Sequence, residues 1–188
     1  NLMVRMVNDT IKAIKPWVTF GIGPAGVAGK ANTSAPVYGV EPCPSPSSDW
    51  QYNGIYADPL AWYNEHTIDY MAPQIYWTID SYTNYDVLSR WWSDMAGHFD
   101  RHMYVSHSLS AMRPEGASLS SGQFYPSEIG AQTELNRKYD RMGAPGSCWY
   151  GLSTGLATNG FIEYMRDVVN PRPAVVPQMT WYRTDDCL

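Results

Sequence analysis

The sequence MAPQIYWTID, residues 71–80, begins as a core strand does and ends in polar and aromatic side chains. Its first residues are apolar, whereas Gln74, Tyr76, Trp77 and Asp80 follow towards its end. A short apolar run of this kind predicts a buried strand. An amide, two large rings and a carboxylate at its end need a further explanation, which the neighbouring elements supply.

Three further apolar runs predict strands on either side of this stretch. They are WVTFGIGP at residues 17–24, HMYVSHSLS at 102–110 and GSCWYGLST at 146–154. Each is rich in strand formers, and its apolar residues run on without the strict alternation of a half-exposed strand. Continuous apolar strands favour a parallel sheet that is covered on both faces.

Helical patterns separate these strands. Apolar residues three or four positions apart predict helices at residues 2–15, from about 58, from about 83, from about 126 to Gly143, and at 159–169. Asp58 before Pro59 reads as a helix cap rather than a catalytic acid. Glu128, Gln132 and Asn136 share one helix face, and a solvated surface is the expected place for that stripe.

The alternation of strands and helices predicts one α/β domain over residues 1–188 with a parallel sheet. Four βα units fit either a small open sheet or half of a (β/α)8 barrel, which needs about 250 residues in full. A loop at about 24–57, rich in Gly, Ala, Ser and Pro, is too long for an ordinary connection, and such loops are usually functional or mobile. Tyr38, Trp50 and Tyr52 of this loop are candidates to reach over a ligand.

Composition narrows the function classes. The formal net charge of −5 argues against nucleic-acid binding, which needs a basic face. No apolar run approaches the length of a membrane span. Aromatic residues make up 14% of the chain, mostly Tyr and Trp, whose apolar faces and polar edges suit sugar rings as well as protein cores. The three cysteines, at 43, 148 and 187, have no zinc or redox spacing, and no metal-ligand cluster or phosphate-binding loop predicts a cofactor.

Four segments together resemble one protein family. They are VNDTIKAIKPWVTFGIGPAG, YADPLAWYNEHTIDYMAPQIYW, EIGAQTELNRKYDRMGAPGS and AVVPQMTW. In order and spacing they are similar to the glycoside-hydrolase-like family 10 proteins, formerly a domain of unknown function. The chain departs from the family pattern at Gly23 and Ala25, where the family has serine and usually a bulky aromatic residue.

The resemblance implies a (β/α)8 barrel of which this chain covers about the last four βα units. The first four strands, including one that ends in an aspartate pair, would then precede Asn1, and a missing half or a second copy would complete the barrel. The family further implies a glycoside hydrolase outside the cytoplasm. It would act on a bacterial polysaccharide such as peptidoglycan glycan strands, by acid–base catalysis with two carboxylates.

In such a barrel the site lies at the carboxyl ends of the strands, which explains the end of the opening stretch. Gln74 is expected to hydrogen-bond sugar hydroxyls, and Tyr76 or Trp77 to stack on a sugar ring. His107 and Trp149 follow on the next two strands, with Trp149 expected to face the barrel interior. The full set of expected substrate-binding residues, around one concave surface, is Pro24, Gln74, Tyr76, Trp77, His107 and Trp149. The alternative for each is core packing or a structural hydrogen bond.

Asp80 is the one catalytic candidate at a strand end, because it follows the strand directly; the alternative is an ordinary turn aspartate. Glu41 and Glu115 are weaker candidates, and the main carboxylates are expected upstream. No G-x-S-x-G motif supports serine hydrolysis. The rival function is a non-catalytic carbohydrate-binding module that uses the same aromatic residues. A small open-sheet domain of unrelated function is the third alternative.

Overall fold

The computed structural model describes residues 1–29, 35–44 and 49–182. Its elements run α1 (Leu2–Ile14), β1 (Gly21–Ile22), α2 (Pro59–Asn64), β2 (Tyr70–Met71), α3 (Tyr85–Phe99), β3 (His102–Ser108), α4 (Pro126–Tyr139), β4 (Gly146–Tyr150), α5 (Leu152–Ala157) and α6 (Phe161–Tyr164). A 3₁₀ turn (Ala35–Tyr38) and two π turns (Trp50–Gly54 and Met165–Val169) complete the list. Cys187 lies outside the described residues.

The four strands form one parallel sheet in the order β1-β2-β3-β4. The predicted α/β class with a parallel sheet is therefore confirmed. Single bridges extend the ladder beyond β2, because Gln74 pairs with Ala25 on one side and with Ser106 on the other. Gly26 then donates its N–H to the carbonyl oxygen of Gln74. A Cβ at Gly26 would lie 2.5 Å from that oxygen, so only glycine allows this approach.

Helix boundaries follow local capping chemistry. Asp58 accepts a hydrogen bond from the N–H of Ala61 at 3.2 Å, so the predicted cap before Pro59 is confirmed. α3 begins at Tyr85 with Asn84 as its N-cap, which accepts from Val87, rather than near residue 83. The helix predicted at 159–169 is split, because α5 already begins at residue 152 and a π turn follows α6.

The two faces of the sheet have different surroundings. The covered face carries Met71, Val105 and His107, which are buried beneath the helices with core residues such as Leu88 and Trp92. The open face carries the alternate side chains Tyr70, Tyr104 and Cys148. These line a groove of about 430 Å³ together with Val176, Pro177, Met179 and Tyr182 of the C-terminal tail.

Asp69 fixes that tail to the sheet. Its carboxylate accepts hydrogen bonds from Lys12 Nζ at 2.7 Å, the Phe20 N–H at 2.7 Å, Trp181 Nε1 at 2.9 Å and the Tyr182 hydroxyl at 2.7 Å. These donors hold the pKa of Asp69 below its usual value even though burial opposes them. At the amino end of the sheet, Asp69 and its donors therefore form a polar cluster in which the carboxylate is fully hydrogen-bonded.

Candidate functional site

The carboxyl edge of the open face presents two of the predicted site residues to solvent. Gln74 is exposed, and its side-chain Nε2 donates to the carbonyl oxygen of Gly23 at 3.0 Å. Tyr76 is 38% exposed, and its hydroxyl lies 3.3 Å from Ser106 Oγ. Both lie where parallel strands end, which is where open and closed α/β sheets place their ligands. Their role in binding stays a prediction.

Tyr150 joins this edge although the sequence did not single it out. It is the last residue of β4, is 62% exposed, and pairs in register with Ser108 of β3. Its ring stacks on Tyr76, with the centroids 6.0 Å apart and the planes 11° from parallel. An offset pair of exposed rings therefore lies at the carboxyl edge, beside the serine hydroxyls of β3.

Trp149 lies on the covered face, so the expectation that it faces the barrel interior is wrong. Its indole packs edge-on against Phe161 with centroids 5.6 Å apart, and it belongs to the smaller core cluster under α4 and α6. Strand alternation explains why the two residues exchange places. Because Tyr150 points to the open face of the sheet, its neighbour Trp149 must point to the covered face, towards the helices. Gly146 agrees with this phase, because its missing side chain makes room for the Tyr104 ring on the open face.

His107 is fully buried on the covered face. Its Nδ1 lies 2.8 Å from Gln132 Oε1, and its Nε2 lies 3.0 Å from Ser147 Oγ and 3.3 Å from Asn136 Nδ2. Since an amide oxygen only accepts, Nδ1 carries the proton and Nε2 accepts. Burial lowers the pKa of His107 from 6.5 to about 4, so the ring is neutral near pH 7. The structural alternative for this histidine is the one that the geometry favours.

The Glu128, Gln132 and Asn136 stripe is not a solvated surface, and that prediction is wrong. Gln132 and Asn136 are each 3% exposed. Gln132 Nε2 donates to the carbonyl oxygen of Trp77 at 3.2 Å and to Glu128 Oε1 at 2.9 Å. Glu128 also accepts the Ile79 N–H at 2.7 Å. The stripe therefore holds the turn that follows β2 against α4, which positions the end of the opening stretch.

Trp77 and Pro24 contribute to the edge in a different way from Tyr76. Trp77 packs against the larger core cluster, and Pro24 is buried. The carbonyl oxygen of Pro24 accepts the Gln74 N–H at 2.9 Å. The six predicted residues therefore do not surround one concave surface: Gln74 and Tyr76 lie on the open face, whereas His107 and Trp149 lie on the covered face.

Asp80 is exposed in the turn between β2 and α3. The two residues before it are fixed, since the Thr78 carbonyl accepts from Tyr85 and Ile79 is held by Glu128. Glu128 already accepts two hydrogen bonds and acts as a structural acceptor, so Asp80 is the carboxylate of this turn that solvent reaches. Its catalytic role stays a prediction.

The long loop divides into two parts. Tyr38 packs edge-on against Phe99 at the end of α3, which lies towards the amino ends of the strands, so it cannot reach over a ligand at the carboxyl edge. The backbone of Glu41 accepts from Trp91 Nε1 at 2.9 Å, and Cys43 is buried. The second part returns to the carboxyl edge, where Gln51 accepts the Ala25 N–H. Within residues 1–29, 35–44 and 49–182, no His, Cys, Asp and Glu group of three or more is placed to hold a metal ion.

Comparison with known proteins identifies the family. Residues 1–114 match the family model described as Glycosyl hydrolase-like 10. The chain is 35% identical to "Glycosyl hydrolase YngK" of Bacillus subtilis over 191 residues, which cover 96% of this chain and 34% of that protein. It is 38% identical to "Glycosyl hydrolase DigH" of Escherichia coli over 104 residues, or 55% of this chain and 22% of that one. The chain thus spans about a third of the length of the first relative, and it belongs to the glycosyl hydrolase-like 10 family.

Proposed function

We propose that the protein containing this chain hydrolyses glycosidic bonds in a bacterial polysaccharide, with peptidoglycan glycan strands as the expected substrate. Family membership and the names of the two relatives support hydrolysis. A substrate in the cell wall would place the protein outside the cytoplasm. None of the helices that the structure describes is long and apolar enough to cross a membrane.

The observation that carries the proposal is the sequential parallel order β1-β2-β3-β4, with polar and aromatic residues at its carboxyl edge. Consecutive neighbouring strands are the arrangement of a (β/α)8 barrel, whose strands each pair with the next. The described residues supply four βα units of the eight. We therefore infer half of a barrel, whose open face becomes the interior when further strands pair with β1 and β4.

The proposed reaction needs two carboxylates, one to protonate the leaving oxygen and one to act as base or nucleophile. Asp80 is the candidate that this chain offers, because solvent reaches it beside the edge that holds Tyr76. We assign the second carboxylate to a part of the full-length protein that lies outside residues 1–188. Gln74 and the serine hydroxyls of β3 would bind sugar hydroxyls, and the exposed rings would bind the apolar face of a sugar.

The isolated chain is expected to be inactive, whereas the full-length gene product is expected to release reducing ends from peptidoglycan glycan strands. The isolated chain should be inactive because it lacks the second catalytic carboxylate. If Asp80 is the first, Asp80→Asn in the full-length protein should lower turnover at least a hundredfold. Asp94→Asn is the matched control, because Asp94 pairs with Arg141 on the outer surface of α3. Light scattering on the isolated chain should show association through its unpaired strand edges.

Three results would contradict the proposal in different ways. Turnover by the isolated chain that Asp80→Asn abolishes would place the whole catalytic pair within residues 1–188. Binding of glycan strands by the full-length protein without turnover would favour the carbohydrate-binding module. A monodisperse monomer of the isolated chain would argue against an incomplete barrel.

A further inference from the structure

Tyr76 and Tyr150 form the exposed aromatic pair of the carboxyl edge. They lie 74 positions apart in the sequence, and the parallel register of β2, β3 and β4 brings them together. Their rings are nearly parallel at 6.0 Å, yet they remain 38% and 62% exposed. Tyr63 and Tyr85, by comparison, are fully buried core residues. The stack therefore leaves much of both rings accessible to a ligand.

Polar groups surround this pair on the β3 side. The Tyr76 hydroxyl lies 3.3 Å from Ser106 Oγ, which fixes the ring at its far end. Ser108 pairs in register with Tyr150, and its hydroxyl donates to Ser110 Oγ at 3.1 Å. Gln74 uses its amide nitrogen on Gly23 and is otherwise exposed. Hydroxyl and amide groups beside an apolar ring surface match the edge and face of a pyranose ring.

We infer that Tyr76 and Tyr150 together form a stacking platform for one sugar unit of a polysaccharide, and that Tyr150 is a binding residue of the site. This inference rests on the proposed function. The polar groups named around the platform are hydroxyls and an amide, which suit the hydroxyl groups at the rim of a pyranose unit. Two rings offer more apolar surface than one, and the second ring restricts the orientation of the first. Truncating either tyrosine therefore weakens the platform as a unit.

The test measures glycan binding by the full-length gene product and its variants. Chitohexaose and peptidoglycan glycan strands are titrated by calorimetry, and hydrolysis is measured separately on the same samples. Tyr150→Ala and Tyr76→Ala are each expected to raise Kd about tenfold, as aromatic stacking does elsewhere. Tyr150→Phe keeps the ring and should change Kd less than about twofold. The double variant should lose less than the sum of the two losses, because the rings contact each other.

Trp17→Ala is the matched control, since Trp17 is a 52% exposed aromatic residue at the opposite, amino end of the sheet. Its Kd should equal that of the wild type. If Tyr150→Ala and Tyr76→Ala bind both glycans as the wild type does while hydrolysis persists, the platform is overturned and the proposed function stands. If the wild-type protein neither binds nor hydrolyses either glycan, both are overturned. Circular dichroism establishes that each variant is folded.

Discussion

The two faces of the sheet treat neighbouring residues in opposite ways. On β3, Ser106 faces the open side near Tyr76, whereas His107 is enclosed by three side-chain partners on the covered side. On β4, Tyr150 is exposed, whereas Trp149 packs under the helices. His107 and Trp149 look most like catalytic or binding groups in the sequence, yet both are packed on the covered side. Residue type alone therefore identifies a site less well than strand phase does.

The difference between the faces also appears in how polar groups are satisfied. His107, Gln132 and Asn136 partner one another in a nearly dry interface, where an unpaired group would be costly. At the carboxyl edge Gln74 and Tyr76 retain contact with water. Only the second arrangement leaves hydrogen-bonding groups available to a ligand without breaking the core.

The largest expected effect tests whether the first part of the long loop belongs to the covered side. Replacing residues 36–44 by glycine and serine at constant length removes the Tyr38 and Cys43 side chains from the core. We expect a loss of at least about 4 kcal/mol in the free energy of unfolding, from the apolar burial alone. Thermal melts followed by circular dichroism measure it.

The same replacement at residues 114–122 is the control, because that nine-residue stretch of the loop after β3 is mostly exposed. It should shift the melting temperature little. If the 36–44 replacement melts at the wild-type temperature but binds glycans more weakly, this part of the loop covers the ligand and does not belong to the core.

The next effect compares adjacent residues of β3. His107→Ala leaves Gln132, Asn136 and Ser147 without their buried partner, and we expect it to cost about 3–5 kcal/mol of unfolding free energy. Ser106→Ala removes one hydroxyl on the open face and should cost less than about 1 kcal/mol. Urea unfolding of both variants gives the two values. Equal costs would mean that the faces do not differ as described.

Much of the fold was predictable because its signals are local. The helical spacing, the Asp58 cap and the continuous apolar strands follow from nearest neighbours. The structure confirms the cap and the four parallel strands, whereas the helix predicted at 159–169 is split and the last predicted strand ends at Tyr150. The faces were harder, because β4 has no clear alternation that fixes the phase of Trp149 and Tyr150. The polar stripe on α4 reads as solvated until the strand behind it is known to carry His107. Such pairings join residues 25 or more positions apart, which no local pattern contains.

The last comparison concerns the effect of pH on the two faces of the sheet. Acid should destabilise the protein first through His107, which is buried on the covered face. An unfolded His107 takes up a proton as pH falls through its ordinary pKa of 6.5, whereas the folded, buried ring does so only at about 4. Protons therefore bind the unfolded state more strongly in this window, and stability falls as pH decreases from about 6.5 to 4. At pH 5.0 the loss relative to pH 7.5 should be about 2 kcal/mol from this residue. His107→Gln should lack that part of the loss, while Ser106→Ala should retain it.

Burial lowers the pKa of His66 and His102 as well, so both variants keep the contributions of those residues. The Asp69 contribution disappears only at lower pH, as the pH falls through the depressed pKa of its folded carboxyl. Nitrogen NMR of the imidazole should show the Nδ1–H tautomer of His107 at pH 5.0, and a protonated ring there would contradict the argument.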